Sequence, residues 1–373
     1  MNIQRKIKIL FLTNVPSPYR VDFFNCLSQY CNLTVIYEKE YSDERDKRWM
    51  QEANDSYQKI FLKGIKTGVD KAFSLDVCKY LTTKKFDRIV ICGISSPTEI
   101  LAIKWCRIKK IPYYIEGDGG FPKGGRGIKE CLKRHLISGA KLCFSTGQIH
   151  DQYYLAYGAS KEKIVRYPFT SLREDDLLQE SIKREEKIQL REQLGVLEPK
   201  MLLAVGQFIY RKGFDLLIEA ARHLNHDIGI YFVGGEADMY MALKKKHDLS
   251  HVHFIGFKTK DELKDYYKAA DVFVLPTRED IWGLVINEAM AYALPVITTD
   301  KCAAGMELVK NNVNGKIIRS DSVKELRIAI NEIFDDMENI ELMGIQSLDI
   351  IKKYTIENMA KTHMEIFCRG NVK

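Results

Sequence analysis

Short apolar runs alternate along this chain with stretches whose apolar residues recur every third or fourth position. Ile7–Thr13 predicts a first strand, and Arg20–Tyr30 an amphipathic helix with Val21, Phe24 and Leu27 on one side. Leu33–Tyr37 predicts a second strand, and the charged stretch Glu38–Asp55 a surface excursion. Arg88–Cys92, Pro112–Ile115, Lys141–Ser145 and Ile164–Tyr167 predict further strands. Helices fit between them around Thr98–Lys109, Gly127–Ser138 and Gln148–Tyr157. Strands and helices alternating at this spacing form βαβ units and a parallel sheet.

Ser171–Glu198 breaks the pattern. It is rich in Glu, Lys, Arg and Gln and has no strand, so it predicts a linker carrying a solvated helix. The alternation then restarts, with strands at Met201–Val205, Ile228–Val233, Val252–Ile255, Val272–Leu275, Val296–Thr298 and Gly315–Ile318. Helices are predicted at Phe214–Leu224, Met239–Lys246, Glu262–Ala269, Leu284–Tyr292, Val323–Phe334 and Thr355–Phe367. The expected organisation is an α/β chain of two Rossmann-like, doubly wound parallel-sheet domains facing a central cleft. Residues 1–170 form the first domain, 171–198 the linker and 199–354 the second domain, with the last helix, 355–370, packing back on the first. Open α/β sheets bind ligands beyond the carboxyl ends of their strands, so the chemistry is expected in the strand-end loops.

Composition narrows the classes. A chain of 373 residues suits two domains, and 46 % hydrophobic with 29 % charged residues is the balance of a folded chain. The nine cysteines include no C-x-x-C pair, which predicts buried free thiols in a reducing cytosol. The basic start and short apolar run of MNIQRKIKILFLTNVPSP predict a first strand rather than a signal peptide, since no small-residue cleavage site follows. No apolar run is long enough to span a bilayer. The net charge of +7 comes without a recognisable nucleic-acid-binding module, and nucleic acid is not an expected partner. A basic surface facing anionic lipid is an equally physical use of that charge.

Four strand-end segments carry candidate chemistry. In Asp271–Asp300 the strand ends at Pro276, the loop Thr277-Arg278-Glu279-Asp280 follows, and a helix starts near Gly283. Asp280 lies before that helix and Glu288 just over one turn inside it. The N–H groups of Trp282, Gly283 and Leu284 fall at the helix N-terminus, where amides and the helix dipole stabilise a diphosphate. The plain alternative is a strand, a capped helix and two surface acids. In Val205–Ala220, Arg211 and Lys212 precede Gly213 and a helix, placed to clamp phosphates or simply to form a basic turn. In Ile111–Gly125 the strand ends in Glu116-Gly117-Asp118-Gly119-Gly120, a ligand-facing or merely flexible loop. The first loop, Thr13–Arg20, is stiffened by Pro16 and Pro18 and is not a G-x-G-x-x-G turn, which argues against a dehydrogenase.

Together these segments resemble the retaining glycosyltransferases of the GT-B fold, the large family four of nucleotide-sugar-dependent enzymes. The likeness is strongest over Met201–Gly315. The family's carboxylate, seven residues and Glu match Asp280 to Glu288, continued by AMAYALPVITTD. The resemblance implies that Glu288 hydrogen-bonds the ribose, that Asp280, in place of the usual Glu, touches hydroxyls of the transferred sugar, and that Lys212 holds the diphosphate. The family's Arg after the strand-end Gly is here Gln207, and Arg211 stands in from the same turn. A frequent histidine falls at Asp118, implying a sugar contact of different charge; Glu116 is the alternative if the register is off by two.

The implied catalytic set is Asp118, Lys212 and Asp280, and the nucleotide-sugar set Arg211, Lys212, Trp282, Gly283, Leu284 and Glu288. The implied activity is transfer of a sugar from a nucleotide sugar, UDP-linked in preference to GDP-linked, to a lipid-linked oligosaccharide or other glycan. Bacterial surface polysaccharides such as capsule, lipopolysaccharide or exopolysaccharide are the implied setting. No D-x-D triplet is evident, and no tightly bound cofactor or metal is expected. Arg211, Lys212 and the Gly283 helix end would meet the leaving charge, at roughly 2.7–4 kcal/mol for one well-placed donor. Ile128, Leu132 and Leu136 beside Lys129, Lys133 and Arg134 make either a packed helix or a peripheral contact with anionic membrane. A cytoplasmic protein on the inner face of the cell membrane follows as an expectation. The rival classes are a nucleotide-sugar epimerase of the same fold and a non-catalytic nucleotide-sugar-binding homologue.

Overall fold

The structure is a computed structural model and describes residues 6–42, 56–125, 127–235 and 238–369. The chain divides into two compact units, residues 1–170 with 355–373, and residues 171–354.

In the first unit the strands are β1 (Lys8–Thr13), β2 (Asn32–Tyr37), β3 (Gln58–Phe61), β4 (Ile65–Gly68), β5 (Lys71–Phe73), β6 (Arg88–Ile91), β7 (Tyr114–Glu116), β8 (Leu142–Ser145) and β9 (Ile164–Arg166). Seven of them form a parallel sheet in the order β3-β2-β1-β6-β7-β8-β9, and β4 and β5 pair antiparallel beside it. The helices are α1 (Pro18–Ser28), α2 (Pro97–Ile108), α3 (Ile128–Ser138) and α4 (Gln148–Ala156), joined by α13 (Ile356–Arg369) from the end of the chain. Pro18 and Pro97 open α1 and α2, where a missing N–H costs nothing. Ser96 and Glu99 close a capping box on α2. One sheet face buries Leu10, Leu12, Ile36, Ile89 and Ile91 against Ala102, Cys106, Leu136 and Tyr154. Another cluster is aromatic: Phe11, Phe23 and Phe24 of β1 and α1 meet Phe144 of β8 and His363 and Phe367 of α13.

In the second unit the strands are β10 (Lys200–Val205), β11 (Ile228–Val233), β12 (Val252–Ile255), β13 (Val272–Leu275), β14 (Val296–Thr299) and β15 (Gly315–Ile318). They pair in parallel in the order β12-β11-β10-β13-β14-β15. Its helices are α5 (Arg184–Leu194), α6 (Phe214–Ala221), α7 (Asp238–Lys246), α8 (Lys260–Ala269), α9 (Leu284–Ala291), α10 (Ala303–Leu308), α11 (Val323–Phe334) and α12 (Met337–Ile351). Both sheets are thus doubly wound and Rossmann-like.

Several elements depart from the sequence expectation. The predicted strand Pro112–Ile115 pairs only from Tyr114, because proline offers no ladder donor. Residues 43–55 of the predicted excursion lie outside the described residues, and Glu38 at its start is buried, bonded to Ser96 and to the Ala72 N–H. Residues 171–198, read as a linker, belong to the second unit: Lys187 and Arg191 of α5 each donate at 2.8 Å to the carbonyls of Ala270 and Ala269 at the end of α8. The thiols are not all buried, since Cys131 and Cys368 are exposed. No helix among the described residues is long and apolar enough to cross a membrane.

Gly213 joins β10's loop to α6 at φ 69°, and a Cβ there would stand 2.0 Å from the Pro276 carbonyl oxygen. Gly213→Ala therefore adds left-handed strain of about 1–2 kcal/mol to an overlap of about 1–3 kcal/mol. A fall of the second unit's urea midpoint by the equivalent of roughly 2–5 kcal/mol is expected; an unchanged midpoint would show that the two loops are not held this close.

Candidate functional site

In the second unit the site grows from two neighbouring strand ends. The turn after β10 runs through Tyr210, Arg211 and Lys212 as a single 3-10 turn and ends at Gly213. The loop after β13 runs beside it: the Arg278 N–H and the Thr277 hydroxyl both donate to the Arg211 carbonyl at 2.8 Å. Arg278 braces the pair further. Its guanidinium forks onto Asp215, reaches Asp321 at 2.6 Å, donates to the Tyr210 carbonyl and stacks on the Tyr210 ring at 3.9 Å.

This bracing sets Lys212 against Asp280. The Lys212 ammonium donates to Asp280 Oδ2 at 2.7 Å, and Arg211 stands 3.6 Å from Oδ1 while donating to the Glu279 carbonyl. Asp280 is no surface acid. It is 7 % exposed, and its backbone bridges to the Cys302 segment through the Lys301 carbonyl and the Ala303 N–H. Gly283, at φ 101°, is the N-cap of α9, which no side chain caps. A Cβ on Gly283 would meet Cys302 Sγ at 2.8 Å. Helix α9 thus begins at Leu284 with its first amides outside the intrahelical ladder. The Trp282 side chain is core: it is 2 % exposed and its indole N–H donates to Asn287 Oδ1 at 2.9 Å. Only its main chain borders the site.

Glu288 lies in the second turn of α9, partly exposed, accepting from the Tyr267 hydroxyl at 3.0 Å and the Ser171 hydroxyl at 3.2 Å. Burial pushes its carboxyl up, against the lowering effect of those hydrogen bonds. Two cations, an uncapped helix start and two carboxylates therefore share one strand-end region. Such a set can receive a diphosphate and the hydroxyls of a sugar or ribose. Gln207, after Gly206, brings no cation there.

In the first unit Asp118 and Glu116 separate clearly. Glu116 ends β7 with no exposure, and its oxygens are occupied by Arg20 and by His363 Nε2 at 3.1 Å. Burial alone would raise its pKa, but Arg20 and His363 bring it down to about 2. Asp118, two residues on, has a side chain 33 % exposed; it accepts from the Tyr19 hydroxyl at 2.6 Å and from Arg20. Of the two, Asp118 is the one open to a ligand. Sequence reading included Tyr19 and Arg20 in the first candidate loop without a role for either and missed His363; the acids beyond β7 were visible, but their partners sit far away in the chain. Helix α3 turns Leu136 inward and half-buries Leu132, leaving Ile128 exposed.

Two doubly wound parallel sheets of this kind define a GT-B-like fold. Residues 186–347 match the family described as "Glycosyl transferases group 1". An uncharacterized glycosyltransferase of Methanocaldococcus jannaschii is 32 % identical over 193 residues, 49 % of this chain and 48 % of the relative. The GDP-mannose-dependent alpha-(1-6)-phosphatidylinositol monomannoside mannosyltransferase of Mycobacterium tuberculosis is 29 % identical over 171 residues, 42 % of this chain and 44 % of the relative. These matches span about half the length of the curated relatives. Among solved structures, Anabaena HepE in complex with UDP and glucose superposes with a TM-score of 0.76 at 18 % identity, covering 97 % of this chain and 100 % of that one. WaaG, a glycosyltransferase involved in lipopolysaccharide biosynthesis, gives 0.68 at 16 % identity, covering 96 % and 99 %. At these identities the likeness is one of fold.

Asp280 competes with any bound anion for the charge of Lys212 and Arg211. Asp280→Asn removes that competitor, so it should tighten the binding of inorganic pyrophosphate by about tenfold, equivalent to about 1.4 kcal/mol. Titration calorimetry reads this directly; weaker pyrophosphate binding in D280N would mean that Asp280 is not opposing an anion at the two cations.

Proposed function

We propose that this protein is a retaining glycosyltransferase that moves a sugar from a nucleotide sugar, UDP-linked in preference to GDP-linked, to a lipid-linked oligosaccharide or another glycan. The observation that carries the reading is the Lys212–Asp280 ion pair beside the uncapped start of α9, within the residues that match the glycosyltransferase family. Lys212, Arg211 and the amides of Gly283 and Leu284 receive the diphosphate. Its arrival draws Lys212 from Asp280, whose carboxylate then accepts from hydroxyls of the transferred sugar. Glu288, held by Tyr267 and Ser171, accepts from the ribose. Asp118, the part-exposed acid beyond β7, is the first unit's acceptor for a sugar hydroxyl. As the glycosidic bond to phosphate breaks, charge develops on the leaving oxygen, where the two cations already engaged by the bound diphosphate and the helix end stabilise it. The departing phosphate takes the acceptor proton, and attack on the same face retains the anomeric configuration.

Support for the donor class comes from the UDP and UDP-glucose complexes of the similarly folded Anabaena protein. Support for the surface-polysaccharide setting comes from the WaaG likeness and from an amylovoran biosynthesis glycosyltransferase of Erwinia amylovora, 33 % identical over 142 residues. We place the protein in the cytoplasm, loosely on the inner membrane face. Helix α3 offers exposed Ile128 beside Lys129 and Arg134, but its remaining apolar face packs inward, so electrostatic attraction carries that contact.

A mass-spectrometric screen of UDP- and GDP-sugars with lipid-linked acceptors tests the activity. Glu288→Ala and Lys212→Ala are expected to stay folded and to lose about 100-fold or more in kcat/KM; values equal to those of the parent would remove the donor site. Vesicles rich in anionic lipid should retain the protein at low salt and release it near 0.5 M salt, where screening is short-ranged (about 4 Å). Retention independent of salt, or none at all, would contradict the electrostatic contact.

A further inference from the structure

The first unit contains a chain of charged groups whose burial the sugar contact alone does not require. Arg20, on α1, is 3 % exposed and holds two carboxylates at once, Glu116 through Nη1 and Asp118 through Nη2. The rings of Tyr19 and Phe169 lie 5.8 Å from its guanidinium carbon. Glu116 then meets His363 of α13, which has no exposure. His363 Nδ1 faces the Met359 carbonyl at 2.8 Å, and Nε2 faces Glu116. Both nitrogens thus have an oxygen partner, and the Glu116 carboxylate can only accept from Nε2. Phe144 stacks on it at 4.8 Å, with Phe23 and Tyr167 around it.

Replacing buried ion pairs by apolar side chains often leaves stability unchanged or improved, so pinning α13 is a weak reason to bury these groups. The network has a direction. It starts in the aromatic core at His363 and ends at Asp118, whose side chain is 33 % exposed, beyond the carboxyl end of β7. Asp118 has both oxygens engaged from behind, by Arg20 and by the Tyr19 hydroxyl at 2.6 Å. A carboxylate held in this way cannot rotate freely, and its remaining lone pairs only accept.

We propose that His363, Glu116, Arg20 and Tyr19 are positioning residues that fix Asp118 as an oriented hydrogen-bond acceptor, so that the sugar presented to the first unit must donate a hydroxyl or amine to it. This rests on the transferase reading above. The last helix of the chain thereby acts on the reaction without touching the substrate. Because the carboxylate is pre-oriented, its contact with the sugar needs no reorganisation as the transition state forms. Loss of the support costs turnover more than donor affinity, which resides in the second unit's phosphate contacts.

The test uses the full chain with a nucleotide sugar and acceptor that support turnover. Tyr19→Phe removes one hydrogen bond from Asp118 and leaves the ring in place. His363→Phe suits the surrounding aromatic cage and removes the donor to Glu116. With folding verified by circular dichroism, each variant should lower kcat by about tenfold, with the UDP dissociation constant within about twofold of the parent. In an Asp118→Asn background the same changes should lower kcat by less than about twofold more, because they act through Asp118. Folded variants with the parent's kcat, or losses that multiply with that of D118N, would overturn the positioning role while leaving the transferase reading intact. A parent chain that turns over no nucleotide sugar would overturn both.

Discussion

Charged side chains at the ends of buried parallel strands must be paired inside the protein, because water no longer solvates them. That constraint organises the strand-end loops of each unit. In the second unit it produces Lys212 on Asp280, with Arg278 tied to Asp215 and Asp321 behind them. In the first it produces Arg20 between Glu116 and Asp118. The two solutions differ in what they leave available. The second unit's pair is a cation and an acid that a diphosphate can separate. The first unit's carboxylate keeps its partners and offers only its outer edge.

Glycine and backbone geometry make the second arrangement achievable. The two loops approach so closely that only residues without a Cβ fit at Gly213, under the Pro276 carbonyl, and at Gly283, under Cys302. The same contacts leave the start of α9 without a side-chain cap. An uncapped helix end is ordinarily a small loss of stability, of about 0.5–2 kcal/mol relative to a capped one. Here it lies beside two cations, where an anion can supply the missing acceptors.

The legible parts of the fold were those with strong periodicity. The strands of the second unit read directly as apolar runs, because parallel strands covered on both faces leave no polar alternation. Edge strand β3 did not, since Gln58 and Lys59 face partly outward and carry no apolar signature. Helix α12 was not expected from the sequence; the missing side chain of Gly344 lets it rest against the Ala293 carbonyl. In the candidate site, Lys212, Asp280 and Glu288 stood out by spacing around a strand and a helix. Their mutual pairing did not, because residues 68 positions apart meet only through the sheet order β10-β13. The Glu116–His363 contact spans 247 positions and joins the middle of the chain to its last helix, which no local pattern could show.

That last helix also bears on the order of synthesis. Unit one holds residues 1–170 but takes α13 from beyond residue 354, after all of unit two has been made. Domains ordinarily fold as they emerge, amino-terminal first. Here the second unit can complete its sheet while the first still lacks Phe367 from its aromatic core and His363 from its buried Glu116. The nascent first unit must therefore carry an unfilled apolar face and an incompletely partnered acid through translation of 184 further residues, 171–354. The part of the protein made first is the part that matures last.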